Sequence, residues 1–198
     1  MKLFAFTDVH EHPKVMREVQ RRIKKTNPDL VICCGDLTIF EHNLFRIMKW
    51  LASLQKEVFV IHGNHETASR IKQYCTANIK FIHRTCVARE NLVFVGWGGG
   101  GFGVIEPEFE RFVSHAKPQF KNKRVVLVTH APPFGTALDF LGKAWGHVGC
   151  KSIAHFLKTN KNIVLALSGH IHETFGKKDK VGNAIVVNPG PLGVLIEI

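Results

Sequence analysis

Short runs of Val, Ile, Leu and Phe recur along the chain, each broken off by glycine or polar residues: Leu3–Phe6, Leu30–Cys34, Val58–Ile61, Leu92–Val95, Val125–Val128 and Ile163–Leu167. Unalternating apolar character over so few residues predicts strands covered on both faces. Between several of these runs, apolar positions recur at helical spacing. Pro13 suits the first turn of a helix carrying Val15, Met16, Val19 and Ile23 on one face, and NLFRIMKWLASL repeats the pattern with Leu44, Ile47, Met48, Leu51 and Leu54. Ile153, Phe156 and Leu157 form a shorter stripe. Strands alternating with helices predict an α/β fold with largely parallel pairing. The final stretch, AIVVNPGPLGVLIEI, reads instead as two short strands about a Pro/Gly turn, which predicts a mixed or second sheet there.

A chain of 198 residues with 45% apolar side chains fits one domain over 1–198. No apolar run reaches the roughly 20 residues of a membrane span, and the strand-like KLFAF begins at Lys2, where a secretory leader would lie. A cytoplasmic protein without membrane contact is expected. Cys33, Cys34, Cys75, Cys86 and Cys150 show no C-x-x-C spacing, and Cys33 and Cys34 fall inside an apolar run, where thiols act as small hydrophobes. The formal net charge of +11 suits an anionic partner, but the basic residues are dispersed, as in RRIKK, KPQFKNKR and GKKDK, and read mainly as solvated faces.

The chemistry gathers where the apolar runs stop. Leu3–Phe6 leads to Asp8 and His10, Leu30–Cys34 to Gly35 and Asp36, and Val58–Ile61 to Gly63, Asn64, His65 and Glu66. Val125–Val128 leads to His130, and Ile163–Leu167 to Gly169, His170 and His172. In an open α/β sheet the carboxyl ends of parallel strands share one edge, so these groups are expected to converge. On extended backbone, side chains at i and i+2 point the same way, which predicts two-pronged sets from Asp8 with His10 and from His170 with His172. Mixed imidazole, carboxylate and amide ligands suit two divalent ions such as Mn, Fe or Zn better than one closed structural zinc, and Asp36 is the candidate bridge between them. His12, His42, His62, His83, His115, His147 and His155 are read as surface or hydrogen-bonded residues.

The motifs DVH, GD, GNHE, TH and GHIH, spread from Asp8 to His172, resemble the signature of the calcineurin-like metallophosphoesterase superfamily. GHVGCKSI and VVNPGP look like its small, often prokaryotic, single-domain members. The resemblance implies two mixed β-sheets packed as a sandwich flanked by helices, a four-layer αββα fold. It implies one metal on Asp8, His10, Asp36 and His172 and a second on Asp36, Asn64, His130 and His170. Many relatives carry a further acidic residue after G-D, where this chain reads GDLTIF.

Two divalent ions against Asp8 and Asp36 leave about two positive charges, which favours an anionic phosphoester substrate. A hydroxide held between the ions is the expected nucleophile, with Mn the foremost metal and Fe, Zn, Ni or Mg as others. By the resemblance, His65 assists the leaving oxygen. Glu66 either orients His65 or caps the following helix. GWGGGGFG matches no P-loop and reads as a mobile loop by the site, with Trp97 and Phe102 placed to touch an aromatic substrate group. A nuclease acting on DNA or RNA is the alternative, though no concentrated basic stripe supports it. A non-catalytic scaffold is the other, and His65 together with every metal ligand speaks against it.

Overall fold

The computed structural model describes residues 1–101 and 103–198. In chain order the elements are β1 (Lys2–Phe6), α1 (Pro13–Thr26), β2 (Leu30–Cys33), α2 (Leu44–Ala52), β3 (Val58–Val60), α3 (Ala68–Gln73), β4 (Ile79–Phe81), β5 (Thr85–Arg89) and β6 (Leu92–Trp97). They continue with α4 (Pro107–Phe120), β7 (Arg124–Thr129), α5 (Lys151–Thr159), β8 (Ile163–Leu167), β9 (Lys178–Val181), β10 (Ala184–Val187) and β11 (Val194–Glu197).

Every apolar run named above is a strand. They divide between a five-stranded sheet, ordered β11-β1-β2-β3-β4, and a six-stranded sheet, ordered β5-β6-β7-β8-β10-β9. Both sheets are mixed: the inner strands run parallel, while β11 on β1, β5 on β6 and β9 on β10 are antiparallel. The buried runs are explained by what covers each face. Leu3, Ala5, Ile32, Phe59 and Ile61 of the first sheet pack on Phe94, Val126, Val128 and Leu167 of the second, with Phe59 and Phe94 edge-to-face at 5.2 Å. The other face of the first sheet, with Phe4, Phe6, Val31 and Val60, is covered by Val19 and Ile23 of α1, Ile47, Met48 and Leu51 of α2, and Ile71 of α3. The far face of the second sheet is covered by Phe109, Val113, Ala116 and Phe120 of α4 and Ile153, Phe156 and Leu157 of α5. The layers are therefore helices, sheet, sheet, helices.

Two differences from the sequence reading matter. The helix α4, whose Phe109, Val113, Ala116 and Phe120 follow helical spacing after Pro107, is an element beyond those expected from the apolar stripes above. The two terminal strands do not pair with each other: β10 joins the second sheet beside β8 and β11 the first beside β1, because the NPGP turn crosses between sheets and each sheet offers a free strand edge. That crossing is tied to the site's floor, since Thr7 donates its N–H to the Gly190 carbonyl at 3.2 Å. All five cysteines are free, and Cys33 and Cys34 are fully buried in the core. No helix among the described residues is long and apolar enough to cross a membrane.

Candidate metal centre

The groups gather where the carboxyl ends of β1, β2 and β3 meet those of β7 and β8. The edge belongs to two sheets rather than one. Asp8, His10, Asp36, Asn64 and His65 come from the first sheet, and His130, His170 and His172 from the second. Three overlapping sets place one ligand atom per residue within 4.8 Å of the others: Asp8, His10 and His172; His10, Asp36 and His65; Asp36, His130 and His170.

The local backbone differs from the extended chain expected from the sequence. Asp8, His10, Asp36 and His170 have left-handed backbones, with φ of 53°, 43°, 50° and 70°, and His172 opens a 3-10 turn. The strands have ended, and tight turns aim each side chain. Asp8 and His10 still form a pair, with His10 Nε2 and Asp8 Oδ1 4.0 Å apart. His170 and His172 do not. The His172 ring stands against Asp8 (3.6 Å) and His10 (3.2 Å), whereas His170 Nδ1 lies 2.8 Å from Asn64 Oδ1. Left-handed non-glycine residues each cost of order 1–3 kcal/mol and persist where surrounding bonds over-determine them. Those bonds are present: Asp8 N–H donates to the Gly35 carbonyl and His10 N–H to the Asp36 carbonyl, and the Asp8 carboxylate accepts the His170 N–H at 3.1 Å.

Glycines make the approach possible. A Cβ on Gly63 would lie 1.9 Å from Asp36 Oδ1, and one on Gly169 would lie 2.4 Å from Asp8 Oδ2. The glycines of the GNHE and GHIH motifs are thus the space into which the carboxylates fit.

Asp36 is central and nearly enclosed. Its Oδ2 lies 3.4 Å from His130 Nε2, 3.9 Å from His65 Nε2 and 4.0 Å from His10 Nε2, and its Oδ1 accepts the His65 N–H at 3.0 Å. Burial alone would raise its pKa, but His130 and the His65 N–H outweigh that and hold it at about 2. His130 is fully buried; burial opposes its charging, yet Asp36 raises it to about 9. Among the described residues the ion pairs of Asp8 and Asp36 run to histidines alone.

The donor set fits a cation. His130 Nδ1 faces the Cys34 carbonyl at 2.9 Å, so in the neutral ring the proton sits on Nδ1 and Nε2 carries a lone pair. That lone pair meets Asn64 Oδ1 at 2.9 Å and Asp36 Oδ2. His10 repeats the arrangement, with Nδ1 on the Thr38 carbonyl at 3.0 Å and Nε2 toward His172. Acceptors converging on acceptors repel unless a positive charge lies between them. In the absence of a cation a proton on His130 supplies it, which is why Asp36 raises that ring's pKa. Carbonyl partners on the outer nitrogens are the usual way metal-binding imidazoles are oriented.

His65 Nδ1 accepts the backbone N–H of Phe40 at 3.3 Å. Glu66, 5% exposed, turns away from it. Its carboxylate accepts Thr38 N–H (2.7 Å), Thr38 Oγ1–H (2.8 Å) and Gly63 N–H (3.1 Å). It neither bonds His65 nor caps α3, whose N-cap is Thr67. Instead it ties the loop after Asp36 to the loop before Asn64. Thr38, in the GDLTIF stretch after Asp36, joins Glu66 to His10.

The glycine-rich segment does reach the site, since a Cβ on Gly101 would lie 2.6 Å from the His170 ring. Trp97 is not available to a substrate. It is 4% exposed, packs on Phe109 and Phe112 and directs its indole N–H to Glu106, because it is the last residue of the buried strand β6. Phe102 lies outside the described residues. His12, His42, His115, His147 and His155 are exposed and belong to none of the three sets. His62 and His83 pack on each other behind the site, their pKa values lowered by burial to about 4 and about 3. The sequence reading missed Thr38, the Cys34 carbonyl and the Phe40 N–H. Backbone atoms carry no signature in sequence.

Residues 1–174 match the family described as calcineurin-like phosphoesterase. The chain belongs to that family. The phosphoesterase is 34% identical to MJ1162 of Methanocaldococcus jannaschii, across 96% of this chain and 88% of that protein. It is 25% identical to a probable glycerophosphodiester phosphodiesterase, GpdQ, of Arcobacter nitrofigilis, across 75% of this chain and 58% of that one. The crystal structure of TT1561 of Thermus thermophilus shares the fold, with a TM-score of 0.74 at 16% identity over 96% of this chain and 89% of that one. The chain is accordingly a metal-binding hydrolase of phosphoric esters. The metallophosphoesterase fold expected from the motifs is the fold found.

Proposed function

We propose that this phosphoesterase cleaves a phosphodiester at a two-cation centre, with Asp8, His10, Asp36 and His172 holding one divalent ion and Asp36, Asn64, His130 and His170 the other. The observation that carries it is the position of Asp36, whose Oδ2 faces His10 on one side and His130 on the other within 4.0 Å. One carboxylate serving two imidazole sets is the arrangement a bridged pair of ions requires. When bound, such ions supply Lewis-acid stabilisation of phosphoryl charge and an activated water. Manganese is the first metal to test, followed by Fe, Zn, Ni and Mg.

The chain's own residues do the rest. Because His65 Nδ1 accepts from Phe40, the neutral ring keeps its proton on Nε2, the atom turned toward Asp36. From there it donates to the leaving oxygen. Glu66 acts through the loops it joins, fixing Asn64 relative to Asp36. A diester is favoured over a monoester by the printed name of the Arcobacter relative, a probable glycerophosphodiester phosphodiesterase.

The test is metal-stripped protein reloaded with Mn, Fe, Zn, Ni or Mg and assayed on bis(4-nitrophenyl) phosphate, 2′,3′- and 3′,5′-cyclic nucleotides and 4-nitrophenyl phosphate. Metal-dependent turnover with diesters ahead of the monoester is expected. An enzyme whose rate ignores both the added metal and an Asp36→Asn change would overturn the proposal.

A further inference from the structure

We infer that Phe40 is the surface on which the substrate's leaving group lies, and that this group carries a planar aromatic ring. The inference rests on the role proposed for His65. Phe40 is 78% exposed, and its ring centre lies 4.5 Å from that of His65 at an angle of 47°. The His65 ring in turn stands 5.0 Å from that of His10, so the rings lead outward from the metal centre in the order His10, His65, Phe40.

Three features separate this ring from an ordinary exposed side chain. Phe40 and the next residue, Glu41, both have left-handed backbones, with φ of 49° and 63°, which is costly for a bulky non-glycine residue. The segment is nevertheless held firmly. Glu41 Oε1 accepts the N–H and hydroxyl of Thr67 at 2.7 Å each, its own N–H goes to Thr38 Oγ1 at 3.1 Å, and Arg70 pairs with its carboxylate. Finally, the same twist that sends the Phe40 N–H to His65 Nδ1 leaves the phenyl ring in water beside Ile39, itself 50% exposed. Strain and anchoring thus set an unburied aromatic face against the His65 ring, whose Nε2 is the proposed donor to the leaving oxygen. Atoms beyond that oxygen must pass over Phe40, and a flat ring gains most from stacking there.

The experiment compares phenyl and methyl esters of methylphosphonic acid, each with one leaving group, on metal-loaded wild type, Phe40→Ala, Phe40→Leu and His65→Ala. All Phe40 variants keep the backbone N–H to His65, so the proton donor stays in place. The phenyl-over-methyl preference in kcat/KM should fall roughly 5- to 20-fold in Phe40→Ala, mainly through KM, on the scale of a ring stacking on an aromatic side chain. Calorimetric binding of phenylphosphonate against methylphosphonate should lose preference to the same extent. Phe40→Leu keeps bulk and lacks the π face, and should resemble Phe40→Ala. Equal losses on both esters in Phe40→Ala, or full preference retained in Phe40→Leu, would overturn the inference. His65→Ala should slow both esters, the methyl ester more because methoxide needs the proton more than phenoxide, so the phenyl preference should rise there instead of falling as in Phe40→Ala. If it slows neither while the Phe40 effect stands, the His65 role fails and the aromatic platform survives.

Discussion

The Nε2 atoms of His10 and His172 lie 3.2 Å apart, although the two residues are separated by 162 positions in the chain. His10 presents a lone pair there because its other nitrogen is engaged by the Thr38 carbonyl. His10→Ala or His172→Ala should therefore lose one ion and keep the other, whereas Asp36→Ala should weaken both. Equilibrium dialysis with Mn followed by elemental analysis reads this directly. Full retention of both ions in Asp36→Ala would contradict the bridging assignment.

His65→Ala should lower kcat by roughly 10²- to 10⁴-fold on esters with poorly acidic leaving alcohols, and far less on 4-nitrophenyl esters that leave without a proton. Metal content should not change. A uniform loss across leaving groups would mark His65 as a structural residue.

Glu66→Gln replaces a buried acceptor of N–H and O–H donors from Thr38 and Gly63 by a group that turns an NH₂ toward one of them. Charge-assisted bonds of this kind are worth more than neutral ones, so a loss of about 2 kcal/mol in unfolding free energy is expected. Turnover should fall while the pH profile keeps its position. Differential scanning calorimetry together with the pH–rate curve checks both halves.

Burial holds the His83 pKa at about 3 instead of 6.5, with His62 and Arg84 adding to the effect, and its Nδ1 accepts the Gly98 N–H at 2.8 Å. The folded pKa is the lower one, so as pH falls the unfolded chain takes up this proton first. Stability from this group is complete above about pH 6.5 and is lost as pH drops toward about 3. His83→Gln, which can still accept from Gly98, should flatten the acid limb of a Tm-against-pH curve by several degrees. Parallel curves for wild type and variant would show that His83 does not carry it.

By itself, the sequence determined the buried inner strands, the two terminal strands β10 and β11 and the helices α1, α2 and α5, because burying an element on one or both faces dictates where apolar side chains must recur. The partly exposed β4, β5 and β9 and the helices α3 and α4 carry no such unbroken signal. It also named the residues that the fold brings together: DVH, GD, GNHE, TH and GHIH supply side chains whose chemistry is visible at any position. Their grouping was decided only in three dimensions. His170 and His172 serve different sets because the chain leaves the strand geometry at once, with His170 left-handed and His172 in a 3-10 turn. The partition of β10 and β11 between sheets, the turning of Glu66 toward Thr38 and the burial of Trp97 were likewise settled by packing. Each depends on partners remote in sequence. The same holds for Phe40: nothing in GDLTIFE marks its N–H or its ring, and both acquire meaning only because the loop after β2 closes over the loop after β3.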